Sequence, residues 1–73
     1  MIRELNKYWQ RRQVIEMIYL GKNGETSRRM VRIIELDAAG QRMKAYCYVR
    51  KAYRVFAVAN ILAIAPVQGK TAG

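Results

Sequence analysis

The chain has 73 residues, which corresponds to one domain near the lower size limit for independent folding. Its composition is 52% apolar, which is typical of a folded protein rather than a disordered one. A single cysteine and no histidine exclude an internal disulfide and a Cys/His zinc site, and they remove the commonest general base. We therefore expect a non-enzymatic protein with no metal and no cofactor.

The net charge is +9, and residues 38–73 contain no acidic side chain. Solubility of a small domain requires a net charge of only about 2 to 8, so the excess of one sign indicates an anionic partner. Nucleic acid or a phosphorylated ligand is favoured over a membrane surface, because the aromatic residues alternate with the cations. No apolar run approaches the roughly 20 residues that span a bilayer, and no signal-peptide core begins the chain, which predicts a cytoplasmic protein.

Residues 2–12 are predicted to form a short helix, because Ile2, Leu5 and Trp9 recur on one helical face. A helix of about three turns is marginal by itself, so we expect its Trp9 face to pack on the rest of the domain.

Five short strands are predicted after the helix. The first begins at Val14 and ends at the turn 21–24, whose Asn-Gly pair is the strongest short hairpin signal. The others are predicted over residues 26–36, 41–49, 53–58 and 62–67. This order predicts a mainly β fold in which an N-terminal helix covers a small five-stranded antiparallel barrel. The predicted domain is a single unit over 1–73, with the helix at 2–12, the barrel at 13–67 and a frayed tail at 68–73.

The third predicted strand has two chemically different faces. Successive side chains of a strand point to opposite sides, which assigns Met43, Ala45, Cys47 and Val49 to an apolar face directed at the core. Cys47 is therefore expected to be buried rather than reactive. The opposite face carries Arg42, Lys44, Tyr46, Tyr48 and Arg50. Tyrosine rings between fixed positive charges suit an anion that carries flat bases.

Several short segments resemble the WYL domain, a small Sm-like β-barrel of bacterial transcription regulators. The segments are Ile18-Tyr19 with the 21–25 turn, Arg29-Met30-Val31, Ala45-Tyr46-Cys47-Tyr48-Val49-Arg50, Arg54-Val55-Phe56 and Ile61. Their order and spacing match the family over roughly residues 13 to 64. The resemblance implies a regulatory domain that senses a ligand or nucleic acid. It also implies that Arg29, Arg50 and Arg54 are basic ligand-binding residues from three strands.

The chain departs from the family pattern at three places. Gln41-Arg42-Met43 replaces the Trp-Tyr-Leu triplet, Ala59-Asn60 replaces an Asp-Arg pair, and Tyr48 replaces a histidine. The winged-helix DNA-binding domain that usually accompanies the family is not expected within these 73 residues, so promoter recognition by them alone is not expected either. Arg42 in place of an aromatic residue moves the expected pocket towards phosphate binding.

The resulting hypothesis is a sensor domain that binds single-stranded nucleic acid or an oligonucleotide-like effector. The predicted binding residues are Arg29, Arg42, Tyr46, Tyr48, Arg50 and Arg54. The alternative is a protein-docking module, an accessory subunit of a transcription regulator, in which these arginines are a solvated outer face. The small core and a fifth strand rich in isoleucine and valine also predict a homodimer.

Overall fold

The computed structural model describes residues 1–37 and 39–67, so the predicted tail at 68–73 lies outside the described residues. Helix α1 covers Ile2–Gln10 and is two residues shorter than predicted. It ends because Arg12 adopts a positive φ of 52°, which turns the chain towards the first strand. Leu5 is buried, and the indole Nε1 of Trp9 donates a hydrogen bond of 2.9 Å to the carbonyl oxygen of Ile34. The Trp9 face of the helix therefore packs on the sheet, as predicted. No helix in the described part of the chain is long and apolar enough to cross a membrane.

One antiparallel sheet follows the helix and confirms the mainly β class. Its strands are β1 (Val14–Leu20), β2 (Thr26–Leu36), β3 (Arg42–Cys47), β4 (Ala52–Ala57) and β5 (Ile61–Pro66). Their spatial order is β4-β3-β2-β1-β5, and a single 3₁₀ turn at Val58–Asn60 joins β4 to β5. The predicted turn at 21–24 is confirmed, since Gly24 has a φ of +81° and the Gly21 N–H bonds to the Glu25 carbonyl at 2.8 Å.

The sheet is not closed into a barrel, which corrects the predicted architecture. Strands β4 and β5 are the two edges, and their pairing partners make them run in the same direction. Strands β4 and β5 cannot pair with each other through a three-residue connection, because two consecutive parallel strands need a crossover of a dozen or more residues. The chain instead crosses directly from one edge to the other. The Tyr19 hydroxyl accepts a hydrogen bond of 2.9 Å from the Ala57 N–H and links β1 to the end of β4.

The core lies between α1 and one face of the sheet. It consists of Leu5, Ile15, Met17, Val31, Ile33, Leu36, Met43, Ala45, Cys47, Phe56 and Ile61. The inward positions predicted for Met43, Ala45 and Cys47 are confirmed. The inward position predicted for Val49 is wrong, because β3 ends at Cys47 and Val49 lies in the following turn with 72% of its surface exposed.

The homodimer stays a prediction. Strand β5 is an edge strand, and its Leu62 is exposed, so an unpaired row of backbone groups beside an apolar side chain is available to a second copy. Sedimentation equilibrium at micromolar concentration is expected to give twice the chain mass of 8.5 kDa. A mass of one chain under those conditions contradicts this prediction.

Candidate nucleic-acid interface

A cleft of about 610 Å³ opens where the β1–β2 hairpin approaches the end of β4. It is lined by Tyr19, Leu20, Gly21, Lys22, Arg29, Gln41, Arg42, Arg54, Val55, Phe56, Ala57 and Asn60. This volume lies within the range of about 300 to 1,000 Å³ that is typical of small-ligand and cofactor sites.

Four cations line the cleft: Lys22, Arg29, Arg42 and Arg54. No carboxylate from the described residues is part of this lining. Lysine and arginine keep their charge at neutral pH, and arginine presents several N–H donors in a planar fork that matches phosphate oxygens. The cleft is therefore suited to an anion, and the arginine fork matches the oxygens of a phosphate or a carboxylate.

Arg29 is held in position from two sides. Its Nε donates a hydrogen bond of 3.2 Å to the Ser27 hydroxyl, and its guanidinium carbon lies 5.8 Å from the centre of the Phe56 ring. A cation over an aromatic face is attracted by the negative charge of that face. Because Ser27 uses only one of the five N–H donors of Arg29, the side chain keeps donors for a ligand.

The pKa of the Cys47 thiol reflects the electrostatic environment around Arg29. Burial raises the pKa of Cys47, but the backbone N–H of Arg50, the Arg29 side chain and the backbone N–H of Val49 together outweigh burial. The pKa of Cys47 therefore lies below its usual value. The N–H groups and the Arg29 charge therefore make a negative charge at this position less unfavourable than burial alone would make it.

Aromatic rings form the apolar part of the cleft. Phe56 is buried, and Tyr19 packs edge-on against it with ring centres 5.0 Å apart. Because the Tyr19 hydroxyl is hydrogen-bonded to Ala57, its ring is fixed in orientation. Phe56 is part of the core and Tyr19 packs against it, and both rings also line the cleft.

A second feature, the tyrosine cluster, consists of Tyr46, Tyr48 and Tyr53. The Tyr46 ring centre lies 5.1 Å from that of Tyr48 and 5.2 Å from that of Tyr53, both in edge-to-face geometry. Tyr53 is 60% exposed and Tyr48 is 39% exposed. The cluster therefore offers ring surface to solvent on the sheet face opposite the core.

Comparison with protein-family models matches the WYL domain over residues 1–66. The chain belongs to the WYL domain family. The WYL chain is similar in fold to Proteasome accessory factor B/C (PafBC) of Arthrobacter aurescens, with a TM-score of 0.80 and 17% sequence identity. That match covers 94% of the WYL chain and only 11% of the PafBC chain. A comparison with curated proteins gives no match.

The predicted binding residues of this WYL domain fall into separate places. Arg29, Arg42 and Arg54 meet in the cleft, whereas Tyr46 and Tyr48 belong to the tyrosine cluster. Arg50 was predicted to continue the β3 face, but β3 ends at Cys47 and Arg50 is exposed in the turn that follows. The idea of one continuous strand face is therefore wrong beyond Tyr46.

Arg42 connects the cleft to the tyrosine cluster. It lines the cleft and begins the outer face of β3, on which Lys44 and Tyr46 follow at alternate positions. Glu35 lies opposite Lys44 in the β2–β3 pairing, so an acidic group borders the charge of Lys44. Arg42 and the tyrosines thus form a continuous surface along the outer face of β3. Lys44 lies on this surface, but the neighbouring Glu35 reduces its attraction for an anion.

Two residues that the prediction left out have signals in the sequence. Tyr53 lies opposite Tyr46 in the β3–β4 pairing, a position that follows from counting outwards from a turn at 48–51. Lys22 is not among the predicted binding residues, but the hairpin that it occupies forms one wall of the cleft. No local pattern shows that this hairpin and β4 are neighbours, because the two segments are brought together by the curl of the sheet.

Proposed function

We propose that this WYL domain is a non-enzymatic regulatory sensor that binds single-stranded nucleic acid or an oligonucleotide-like effector. The cleft binds the phosphate, and the tyrosine cluster stacks on unpaired bases. The observation that carries this proposal is the convergence of Lys22, Arg29, Arg42 and Arg54 around one cleft of nucleotide size.

Phosphate binding follows from charge and geometry. Each hydrogen bond to a charged partner contributes about 1.5 to 3 kcal/mol. The three arginines of the cleft donate such bonds from three different strands. The neighbouring Gln41 and Asn60 add neutral amide groups, which hydrogen-bond to sugar or base edges without changing the charge.

A single strand is favoured over a duplex because of the tyrosine cluster. The exposed rings of Tyr48 and Tyr53 present flat apolar surface, and each base that stacks on such a ring gains about 1 to 3 kcal/mol. Bases inside a duplex are already stacked and unavailable. The WYL family, found in transcription regulators, supports a regulatory setting, in which a separate DNA-binding regulator is a partner.

Binding is tested by fluorescence anisotropy with a labelled oligothymidylate of about 10 nucleotides, titrated at several salt concentrations. We expect the logarithm of the association constant to fall linearly with the logarithm of the salt concentration, through release of counterions. The same sequence annealed to its complement is the control and should bind more weakly. Equal affinity for both forms, or affinity that does not depend on salt, contradicts the proposal.

The tyrosines are expected to contribute without depending on salt. Tyr48→Ala and Tyr53→Ala should each weaken binding of the oligothymidylate by roughly 5- to 100-fold, the equivalent of one lost stacking contact. The slope of affinity against salt should stay the same, because no charge is removed. Tyr53→Phe keeps the ring and serves as the matched control, with affinity near that of the parent. A changed salt slope, or an alanine variant that binds like the parent, removes the tyrosine cluster from the interface.

A protein-docking role is the second candidate, favoured by apolar side chains that are exposed outside the cleft. Val49 and Leu62 each have more than half of their surface exposed, at values of 72% and 51%. An apolar protein interface changes little with salt, whereas binding of nucleic acid weakens steeply. The salt titration therefore distinguishes the two functions.

A further inference from the structure

A second, smaller cavity of about 270 Å³ lies between the end of α1 and β2. Its lining residues are Trp9, Arg12, Arg32, Ile33 and Ile34. We call it the Trp9 pocket. It combines two arginines with one aromatic ring and two isoleucines, and its described lining contains no carboxylate.

Arg32 carries a hydrogen-bond donor that has no acceptor among the described residues. Its Nε is buried and has no acceptor among the described residues. Buried polar groups are nearly always paired, so this N–H is a donor that an oxygen acceptor from outside the described residues would satisfy. Trp9 does not supply one, because indole nitrogen is only a donor and already donates to Ile34.

Strand pairing connects the Trp9 pocket to the proposed interface. Arg32 lies directly opposite Tyr46 in the β2–β3 pairing, and directly opposed residues of antiparallel strands share a face. The outer face therefore runs from Arg42 at the cleft, through Tyr46 in the tyrosine cluster, to Arg32 at the Trp9 pocket.

We propose that the Trp9 pocket binds a second phosphate of the same single strand whose first phosphate occupies the cleft. This inference rests on the proposed function. It adds a second phosphate site at the end of the surface that is farthest from the cleft. Arg12 and Arg32 grip the phosphate oxygens, and the Trp9 ring with the isoleucines forms an apolar wall for the attached nucleoside.

The length of this surface sets the length of strand that reaches both sites. Tyr46 is four residue steps along β3 from Arg42, which is about 14 Å at roughly 3.4 Å per step, and Arg32 lies one strand spacing of about 5 Å to the side. Stacked nucleotides advance about 3.4 Å each, so about four nucleotides cover this distance. A dinucleotide reaches one site only, whereas an oligothymidylate of about 10 nucleotides reaches both.

The test compares these two probes on an Arg12→Gln/Arg32→Gln variant. Affinity for the oligothymidylate of about 10 nucleotides should fall at least about tenfold, with a salt slope reduced by about 0.7 for each lost phosphate contact. Affinity for a 5′-phosphorylated thymidine dinucleotide, measured by NMR titration, should stay that of the parent. The matched control is Arg3→Gln/Arg11→Gln, which removes the same charge from exposed positions of the same helix region. It should leave the salt slope unchanged.

The outcomes separate this inference from the proposed function. A parent chain that binds neither probe overturns both. Suppose that the parent binds both probes. If the double variant then binds both like the parent, or loses affinity for the dinucleotide as well, the second phosphate site is overturned and the proposed function is left intact. If an acidic peptide without phosphate binds the parent, and the double variant loses that peptide but not the oligothymidylate, the pocket serves a protein partner and the inference is wrong.

A second variant guards against a folding effect. Arg32→Met keeps a long apolar stem and removes the unpaired N–H, so its melting temperature without ligand should equal or exceed that of the parent. Its increase in melting temperature on adding the longer oligothymidylate should be smaller than that of the parent. A melting temperature well below the parent value makes Arg32 a structural residue and overturns the inference.

Discussion

Arg42→Glu/Arg54→Glu is expected to weaken binding of the longer oligothymidylate by at least about 100-fold at about 0.1 M salt. Each charge-assisted hydrogen bond that is lost costs about 1.5 to 3 kcal/mol, and 1.4 kcal/mol is a factor of ten in affinity. Both side chains line the cleft and are exposed, so their replacement by glutamate leaves the core unchanged. Fluorescence anisotropy measures the affinity, and circular dichroism shows that the variant is folded.

The matched control is Arg3→Glu/Arg11→Glu. It changes the net charge by the same amount at two exposed positions that line neither the cleft nor the Trp9 pocket. We expect a loss of less than about tenfold, because distant charges act only through the screened overall field. An equal loss in both variants attributes binding to net charge and contradicts a specific role of the cleft. A cleft variant that binds like the parent leaves protein docking as the function.

Most of the fold could be predicted from short sequence patterns, because turn residues such as Asn-Gly mark clearly where strands begin and end. The Asn-Gly turn and Gly40, which has a φ of +69°, set the limits of β2, which the structure gives as Thr26–Leu36, as predicted. The end of β3 was not predictable in this way. Alternation of side chains continues through Tyr48, Val49 and Arg50, but a period of two does not show where backbone pairing stops. Pairing stops at Cys47 because its partner is Ala52 and the four residues between them form the turn.

The candidate site was predictable in its chemistry and only partly in its geometry. Alternation on one strand correctly separated the apolar face of β3 from the face with Arg42 and Tyr46. The contributions of Arg29 and Arg54 came from resemblance to the family, because no pattern within one strand brings residues of β2 and β4 together. The open edge between β4 and β5 also escaped prediction, since strand direction depends on the order of pairing in space.

Met43→Asp is expected to unfold the domain. Met43 is fully buried and lies opposite Leu36 on β2 and Phe56 on β4, so the aspartate has no charged or hydrogen-bonding partner among its pairing neighbours. Loss of a buried methionine side chain costs about 2 to 5 kcal/mol, and an unpaired buried charge adds several more. A domain of 73 residues has a total stability of roughly 4 to 11 kcal/mol. The expected cost reaches that range, so circular dichroism and the dispersion of NMR signals should show a disordered chain at 25 °C.

Lys44→Asp is the control for Met43→Asp, because it introduces the same side chain one residue later, on the exposed face of β3. We expect a cost of only about 0.2 to 1 kcal/mol, due to repulsion from Glu35 on the neighbouring strand. The pair of variants tests the assignment of faces more sharply than a change at Cys47. There, Arg29 and the N–H groups of Val49 and Arg50 are available to stabilise a carboxylate. If Met43→Asp folds normally while Lys44→Asp does not, the two faces of β3 are exchanged. Arg42 and Tyr46 then point into the core, and neither the cleft nor the tyrosine cluster exists in the form on which the binding proposal depends.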